Sequence, residues 1–236
     1  MITSICQPHF FPWLGYFNMI HLSEYFIFLD NVQYNRRSWQ NRVHIRSSLN
    51  SDEKKFISLS IKNNSRNLNI NTAYFYIDSI EKIERVIHET YKNTLFYNSI
   101  NKFILDLFYE NKDKNLATFN IQVIIKICKY LNIDLNFELS SNFNLSEKKQ
   151  DLILSLLKKS NSDIYLANNG SIDYVNKEFF DKNGVNFVTH DYQHPKYQQF
   201  SKKELNFIQN LSIIDLLFNY EKKSEDVIKL YTHSFI

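Results

Sequence analysis

Proline, glycine, tryptophan and cysteine are all scarce: three, three, two and two in 236 residues. The two cysteines, Cys6 and Cys128, lie in apolar stretches without metal-type spacing. That excludes a disulfide scaffold and a cysteine zinc site, and fits reduced thiols in a cytosolic protein. No apolar run approaches the ~18–20 residues that span a bilayer. Polar Gln7 and Pro8 follow too soon for a signal peptide. A cytoplasmic protein without membrane insertion is expected. The formal net charge is only +3, which gives no reason to expect DNA as a partner. A Ser-x-Gly nucleophile elbow, a Walker loop and a CxxC pair are absent. No tightly bound metal is expected.

What is abundant is aromatic: 16% of the chain, more than a core of this size needs, so some rings should line a pocket. The scarce residues are also unevenly placed. Pro8, Pro12, Trp13, Gly15 and Trp39 fall within the first forty positions, and four of the six arginines are Arg36, Arg37, Arg42 and Arg46. In a composition rich in Lys, Asn and Ile, rare types survive where a substitute fails, which singles out residues 8–46.

Periodicity orders the rest. Residues 2–6 read as a strand. A helix starts at Pro12 or Trp13, with proline in its first turn, and Tyr25–Leu29 reads as a buried strand. Strand, turn, helix and strand within thirty residues form a βαβ unit and favour a parallel sheet. Residues 31–50 look irregular, 55–61 alternate as a strand, and 62–72 form a loop. Apolar stripes run through 78–132, an inserted helical subdomain within a single α/β domain covering 1–236. Then come a strand at 135–139, a helix at 146–158, a strand at 163–167, a helix at 171–182, a strand at 185–190 and a last helix at about 203–220.

Five groups carry possible chemistry. Gln7 and His9 sit in a turn at the carboxyl end of the first strand, where parallel sheets bind ligands, ahead of a helix whose free N–H groups suit an anion. A proline-stiffened structural turn is the plain alternative. Gln33, Tyr34, Arg37, Trp39, Asn41 and Arg42 combine forked cations with rings, which suits a diphosphate, a carrier phosphate or an RNA backbone, or else a solvated basic loop. Asn168-Asn169-Gly170-Ser171 follows a strand and serves a ligand loop or a capped turn. His190 to Tyr197 holds two histidines at i, i+4, but Pro195 argues against the helix that a metal pair needs. An acid–base histidine or a structural segment remains. Ser212 and Asp215 break an apolar helix. They form a capping box, or offer N–H groups to a ligand phosphate.

The blocks Gln7-Pro8-His9-Phe10-Phe11-Pro12-Trp13-Leu14-Gly15-Tyr16-Phe17 and Asp30-Asn31-Val32-Gln33-Tyr34, with Arg37, Trp39, Asn41 and Arg42, closely resemble the WbqC-like protein family. Tyr174, Phe179–Gly184, Tyr192-x-His194-Pro195-x-Tyr197 and Leu211–Leu217 are similar to it as well. The resemblance implies a place in bacterial O-antigen or other surface-glycan synthesis, and transfer of glycine or another acyl group to an amino sugar on a nucleotide-linked precursor. The donor would be an activated acyl group, a charged tRNA or an ATP-derived adenylate; the cofactor and the oligomeric state are left open. In that setting His9 or His194 is the base, and Gln7 and Asn41 orient the acyl carbonyl or its oxyanion. Arg37 and Arg42 hold phosphate, and Trp39 and Tyr34 stack. Trp13, Tyr16, Asp30, Gln33, Tyr192, Tyr197, Ser212 and Asp215 complete the expected binding set. The Pro12-Trp13-Leu14-Gly15-Tyr16 turn and Ser212-x-x-Asp215 also resemble the phosphate-binding signatures of nucleotidylyltransferases, with both histidines of the turn replaced. The expected fold is therefore a Rossmann-like three-layer parallel sheet. An adenylate-forming enzyme and a non-catalytic glycan-precursor binder are the alternatives.

Overall fold

The computed structural model describes residues 1–62, 67–168, 170, 175–199 and 206–229. The molecule is built on a five-stranded parallel sheet of β1 (Ile2–Cys6), β2 (Tyr25–Phe28), β5 (Phe137–Leu139), β6 (Ile164–Asn168) and β7 (Asn186–His190). Their spatial order is β5-β2-β1-β6-β7. The chain winds outward from β1 to β5, returns to the other side of β1, and winds out again to β7. This is the Rossmann-like arrangement, and the two halves meet between β1 and β6, where a crevice opens beyond the strands' carboxyl ends.

Alternation along the strands makes three layers. Ile5, Ile27, Tyr165 and Ala167 face one way, onto Leu156 and Leu157 of α5 (Lys149–Lys159) and Phe180 of α6 (Lys177–Lys182). Phe26, Phe28 and Leu166 face the larger core. There α1 (Leu14–Leu22) is buried from Leu14 to Ile20, with polar Asn18 satisfied by donating to the Ile228 carbonyl of α8 (Ser224–Lys229), 2.8 Å. A helix apolar nearly all round belongs in an interior, which is where α1 lies. The helices α2 (Asp78–Tyr91), α3 (Tyr97–Asn111), α4 (Leu116–Tyr130) and α7 (Ile213–Tyr220) pack into this same core.

Three boundaries differ from the sequence expectation. Residues 31–50 are not wholly irregular: β3 (Arg42–Arg46) pairs antiparallel with β4 (Lys54–Ser58). Charged residues disguise a period of two, in which Val43, Ile45 and Ile57 are buried. The last long helix starts at Ile213 rather than near 203, because Asn210 has φ +59° and Ser212 caps the helix. The helix expected at 171–182 starts, among the described residues, only at Lys177, after Asn176 in extended conformation, and is α6. Asn169, Ser171, Tyr174 and Leu205 lie outside the described residues.

Candidate functional site

The turn after β1 is anchored by its own aromatic rings. Phe10 and Phe11, both fully buried, meet Phe108 of α3 at 6.2 and 5.3 Å between ring centroids, and Phe10 meets Phe119 of α4 at 6.2 Å. Phe11 adopts φ +40°, a costly value for a bulky residue. Its carbonyl accepts from Ser212 Oγ at 2.8 Å. Buried Asn120 donates to the carbonyls of Pro8 (2.9 Å) and Gln40 (2.8 Å), which ties the turn to the Arg/Trp segment. Gln40, also fully buried, donates from Nε2 to Gln7 Oε1 (2.7 Å) and accepts from the Asn35 N–H (2.9 Å). The two N-terminal blocks are therefore one hydrogen-bonded body.

That body walls two adjoining cavities at the crevice. One, of about 260 Å³, is bounded by His9, Phe10, Pro12, Trp13, Trp39, Val43 and Asn210. The other, of about 220 Å³, shares His9, Trp13 and Trp39. It continues over Gly15, Tyr16 and Met19 to Cys6, Asn168 and His190 at the ends of β1, β6 and β7, with Gly170 and Tyr192 beyond them. His9 thus stands between two spaces. Its ring lies 5.3 Å from Tyr16, and among the described residues neither of its nitrogens has a protein partner. Burial pushes its pKa down to about 4, so the ring is neutral near pH 7 and offers one lone pair and one N–H. The Tyr16 hydroxyl is engaged, donating to the Gln7 carbonyl at 3.0 Å.

Trp13 divides the cleft from what lies behind it. A Cβ on Gly15 would fall 2.3–2.7 Å from the Trp13 indole, so only glycine lets that ring fold back across the first turn of α1. The indole stacks on His194 (6.4 Å, 18°) and meets Tyr192 edge-on at 5.3 Å. His194 therefore lies behind Trp13 and does not line either cavity. Its Nδ1–H donates to the Pro195 carbonyl at 2.9 Å, which leaves Nε2 as the acceptor; Nε2 is buried and has no partner among the described residues. Burial lowers this pKa too, against the raising effect of the Pro195 carbonyl.

The structure separates the second block into wall and frame. Trp39, 47% exposed, lines both cavities. Arg37 is exposed on the loop at φ +57°, and Arg42 lays its guanidinium 4.0 Å over the Phe56 ring. Tyr34 is buried in the core, so it is not a stacking platform in the cleft. Gln33 is exposed and bridges to Asn69. Asn41 donates to the Leu59 carbonyl at 2.9 Å and holds the chain beside β4, away from both cavities. Asp30 accepts from Ser140 Oγ and the Ser141 N–H, both at 3.0 Å, and so caps the turn after β5.

Ser212 and Asp215 also act as framework. The Ser212 N–H donates to the His44 carbonyl, that of Ile213 to Pro12, that of Ile214 to Ser212 Oγ, and that of Asp215 to the Ser212 carbonyl. The N–H groups offered to a ligand phosphate on sequence grounds are thus taken by the protein. The Asp215 carboxylate does not close a capping box. It turns inward and accepts from Tyr91 (3.1 Å) and Tyr197 (2.8 Å). Buried Arg46 donates to Gln199 Oε1 (2.6 Å), and Gln199 Nε2 donates in turn to the Tyr197 hydroxyl (3.3 Å). Burial, outweighing these donors and the Arg46 charge, raises the Asp215 pKa.

Asn168 and His190, the first members of two of the groups picked out from sequence, join Cys6 in the wall, though none of the three was in the expected binding set. Their common signal is position, since each ends a parallel strand. Asn168 Nδ2 lies 3.1 Å from Cys6 Sγ, and burial pushes that thiol up to about 12, so it is no nucleophile. No group of three or more His, Cys, Asp or Glu among the described residues is placed to hold a metal ion, and among them no helix is long and apolar enough to cross a membrane.

Residues 7–227 match the sequence pattern of the WbqC-like protein family. An uncharacterized protein of Mycobacterium tuberculosis, Rv1507c, is 24% identical over 227 residues, 96% of this chain and 97% of its own. No solved structure matches the chain significantly.

Proposed function

Because the chain belongs to the WbqC-like protein family, we propose that it is a transferase that acylates the amino group of a nucleotide-linked amino sugar in surface-polysaccharide synthesis. The observation that carries this reading is His9, neutral and unpartnered, between two cavities at the sheet's switch point. In the proposed reaction the amine nitrogen attacks the carbonyl carbon of an activated acyl donor. The new C–N bond forms as the bond to the donor's leaving group breaks, and the ammonium proton passes to an His9 ring nitrogen. Two separate spaces sharing His9 suit two substrates meeting at one base. Trp39, Trp13 and Tyr192 offer ring faces to a sugar. Gln7, expected from sequence to orient the acyl carbonyl, lines neither cavity; with its amide oxygen fixed by Gln40 it braces the turn that carries His9. His194, behind Trp13, supports that wall rather than touching substrate.

An adenylate-forming reaction is the second reading, favoured by the Rossmann-like strand order. Against it stands the Trp13 indole over the first turn of α1, where a phosphate would be expected. The test is to incubate the protein with nucleotide-linked amino sugars, glycine, ATP and a tRNA-charging mixture and to weigh the sugar. A gain equal to one acyl group supports transfer. Amino-acid-dependent ATP–pyrophosphate exchange without a gain favours the adenylate reading.

A further inference from the structure

Outside the cleft mouth, the β3–β4 hairpin carries a face whose chemistry the framework does not use. His44 and Phe56 are directly opposed across the ladder, and their rings stack at 3.8 Å. The Arg42 guanidinium lies 4.0 Å from the Phe56 centroid, and Trp39 stands edge-on to His44 at 5.5 Å. Phe56 and Trp39 remain 42% and 47% exposed. The positive charges of Lys54 and Arg42 both bear on His44, and neither has an acidic partner among the described residues. Phe56 is thus sandwiched between His44 and Arg42 and holds that guanidinium in place, and the exposed Trp39 ring beside unpaired cations forms a receptor for a flat base joined to phosphate.

Size makes the connection to the cleft. The cavities of about 260 and 220 Å³ fall below the ~300–1,000 Å³ typical of pockets that enclose a drug-sized ligand. With the sugar ring in one and the acyl donor in the other, neither leaves room for the attached nucleotide, which then lies outside. Trp39 is both a cavity wall and part of the hairpin face, and therefore marks where it would emerge. We infer that the hairpin face is a nucleoside-diphosphate subsite: the base stacks on Trp39, and Arg42, held against Phe56, and Lys54 bind the diphosphate while the sugar enters beside His9. This assignment rests on the transferase reading for its substrate, but it makes a claim about binding that needs no acyl donor.

The experiment is titration of the full chain with UDP, CDP, GDP, ADP and dTDP, with inorganic pyrophosphate and a short single-stranded RNA as contrasts, followed by calorimetry and tryptophan fluorescence. At least one nucleoside diphosphate should bind about tenfold tighter than pyrophosphate, the margin expected of one stacked base. Trp39→Ala should erase that margin. Arg42→Lys, which keeps the charge and loses the fork, should weaken binding several-fold at an unchanged melting temperature, and Trp39→Phe should remove the fluorescence response. Equal affinity for pyrophosphate and every nucleoside diphosphate overturns the assignment, as does binding untouched by Trp39→Ala and Arg42→Lys. Tighter binding of the RNA does so too. Acyl transfer without such binding sinks the subsite and spares the transferase; binding without transfer does the reverse.

Discussion

At the residue scale, the rarest residue types proved informative for physical reasons. Gly15 is required because the Trp13 indole occupies the space of a side chain. Alanine there would gain up to about 1 kcal/mol of helix propensity, but contacts of 2.3–2.7 Å with a large ring outweigh it. Gly15→Ala should displace Trp13, red-shift its fluorescence and lower stability by about 1–3 kcal/mol; an unchanged spectrum and melting temperature would show that the ring packs elsewhere. His9 gives a pH signature. Its pKa is near 4 when folded and about 6.5 when unfolded. Above pH 6.5 neither state is protonated and the residue is silent. Between 6.5 and 4 the unfolded chain takes up the proton and the folded one does not, so stability falls as pH falls, by up to ~3 kcal/mol. His194, shifted in the same direction, adds to the slope. Urea titrations at pH 7.5 and 5 should show this loss, and His9→Gln should shrink it.

At the element scale, strands and helices with plain periodicity were legible and those with disguised patterns were not. The β1–α1–β2 unit follows from local punctuation. β3 was hidden because Arg42, His44 and Arg46 alternate with only two apolar residues, and the partner that buries those two comes from another segment. The start of α7 was misplaced because its cap and the positive φ of Asn210 outweigh an apolar stripe that runs further back. The same long-range contacts explain why Asn41, Tyr34, Asp30 and Asp215 could not be assigned from sequence. Each has a residue type suited to ligand binding, but each spends it on the frame. Substitutions at two positions test those joints. Asn120→Ala removes two donors to buried carbonyls and should cost about 2–4 kcal/mol in denaturant unfolding; a cost near zero would mean that water replaces them. Asp215→Ala strands two tyrosine hydroxyls and the Arg46 charge, and should cost about 3–5 kcal/mol. Asp215→Asn, which keeps acceptor capacity, should recover part of that loss.

At the scale of the whole molecule, the sheet determines which residues meet. The order β5-β2-β1-β6-β7 brings Cys6, Asn168 and His190, distant in sequence, to one crevice, and the turn holding His9 and Trp13 closes over it. A parallel sheet was legible from alternating elements. Which strand ends share a crevice depends on strand order, which no local pattern encodes. The central claim is that His9 takes the proton of an attacking amine in that crevice. The most direct measurement is the rate of acyl transfer to a nucleotide-linked amino sugar, by mass, for wild-type protein and His9→Gln at saturating substrate. A loss on the order of 100-fold or more, with sugar-nucleotide affinity kept within a few-fold, is the result expected of a missing general base. Equal rates in the two proteins would contradict it.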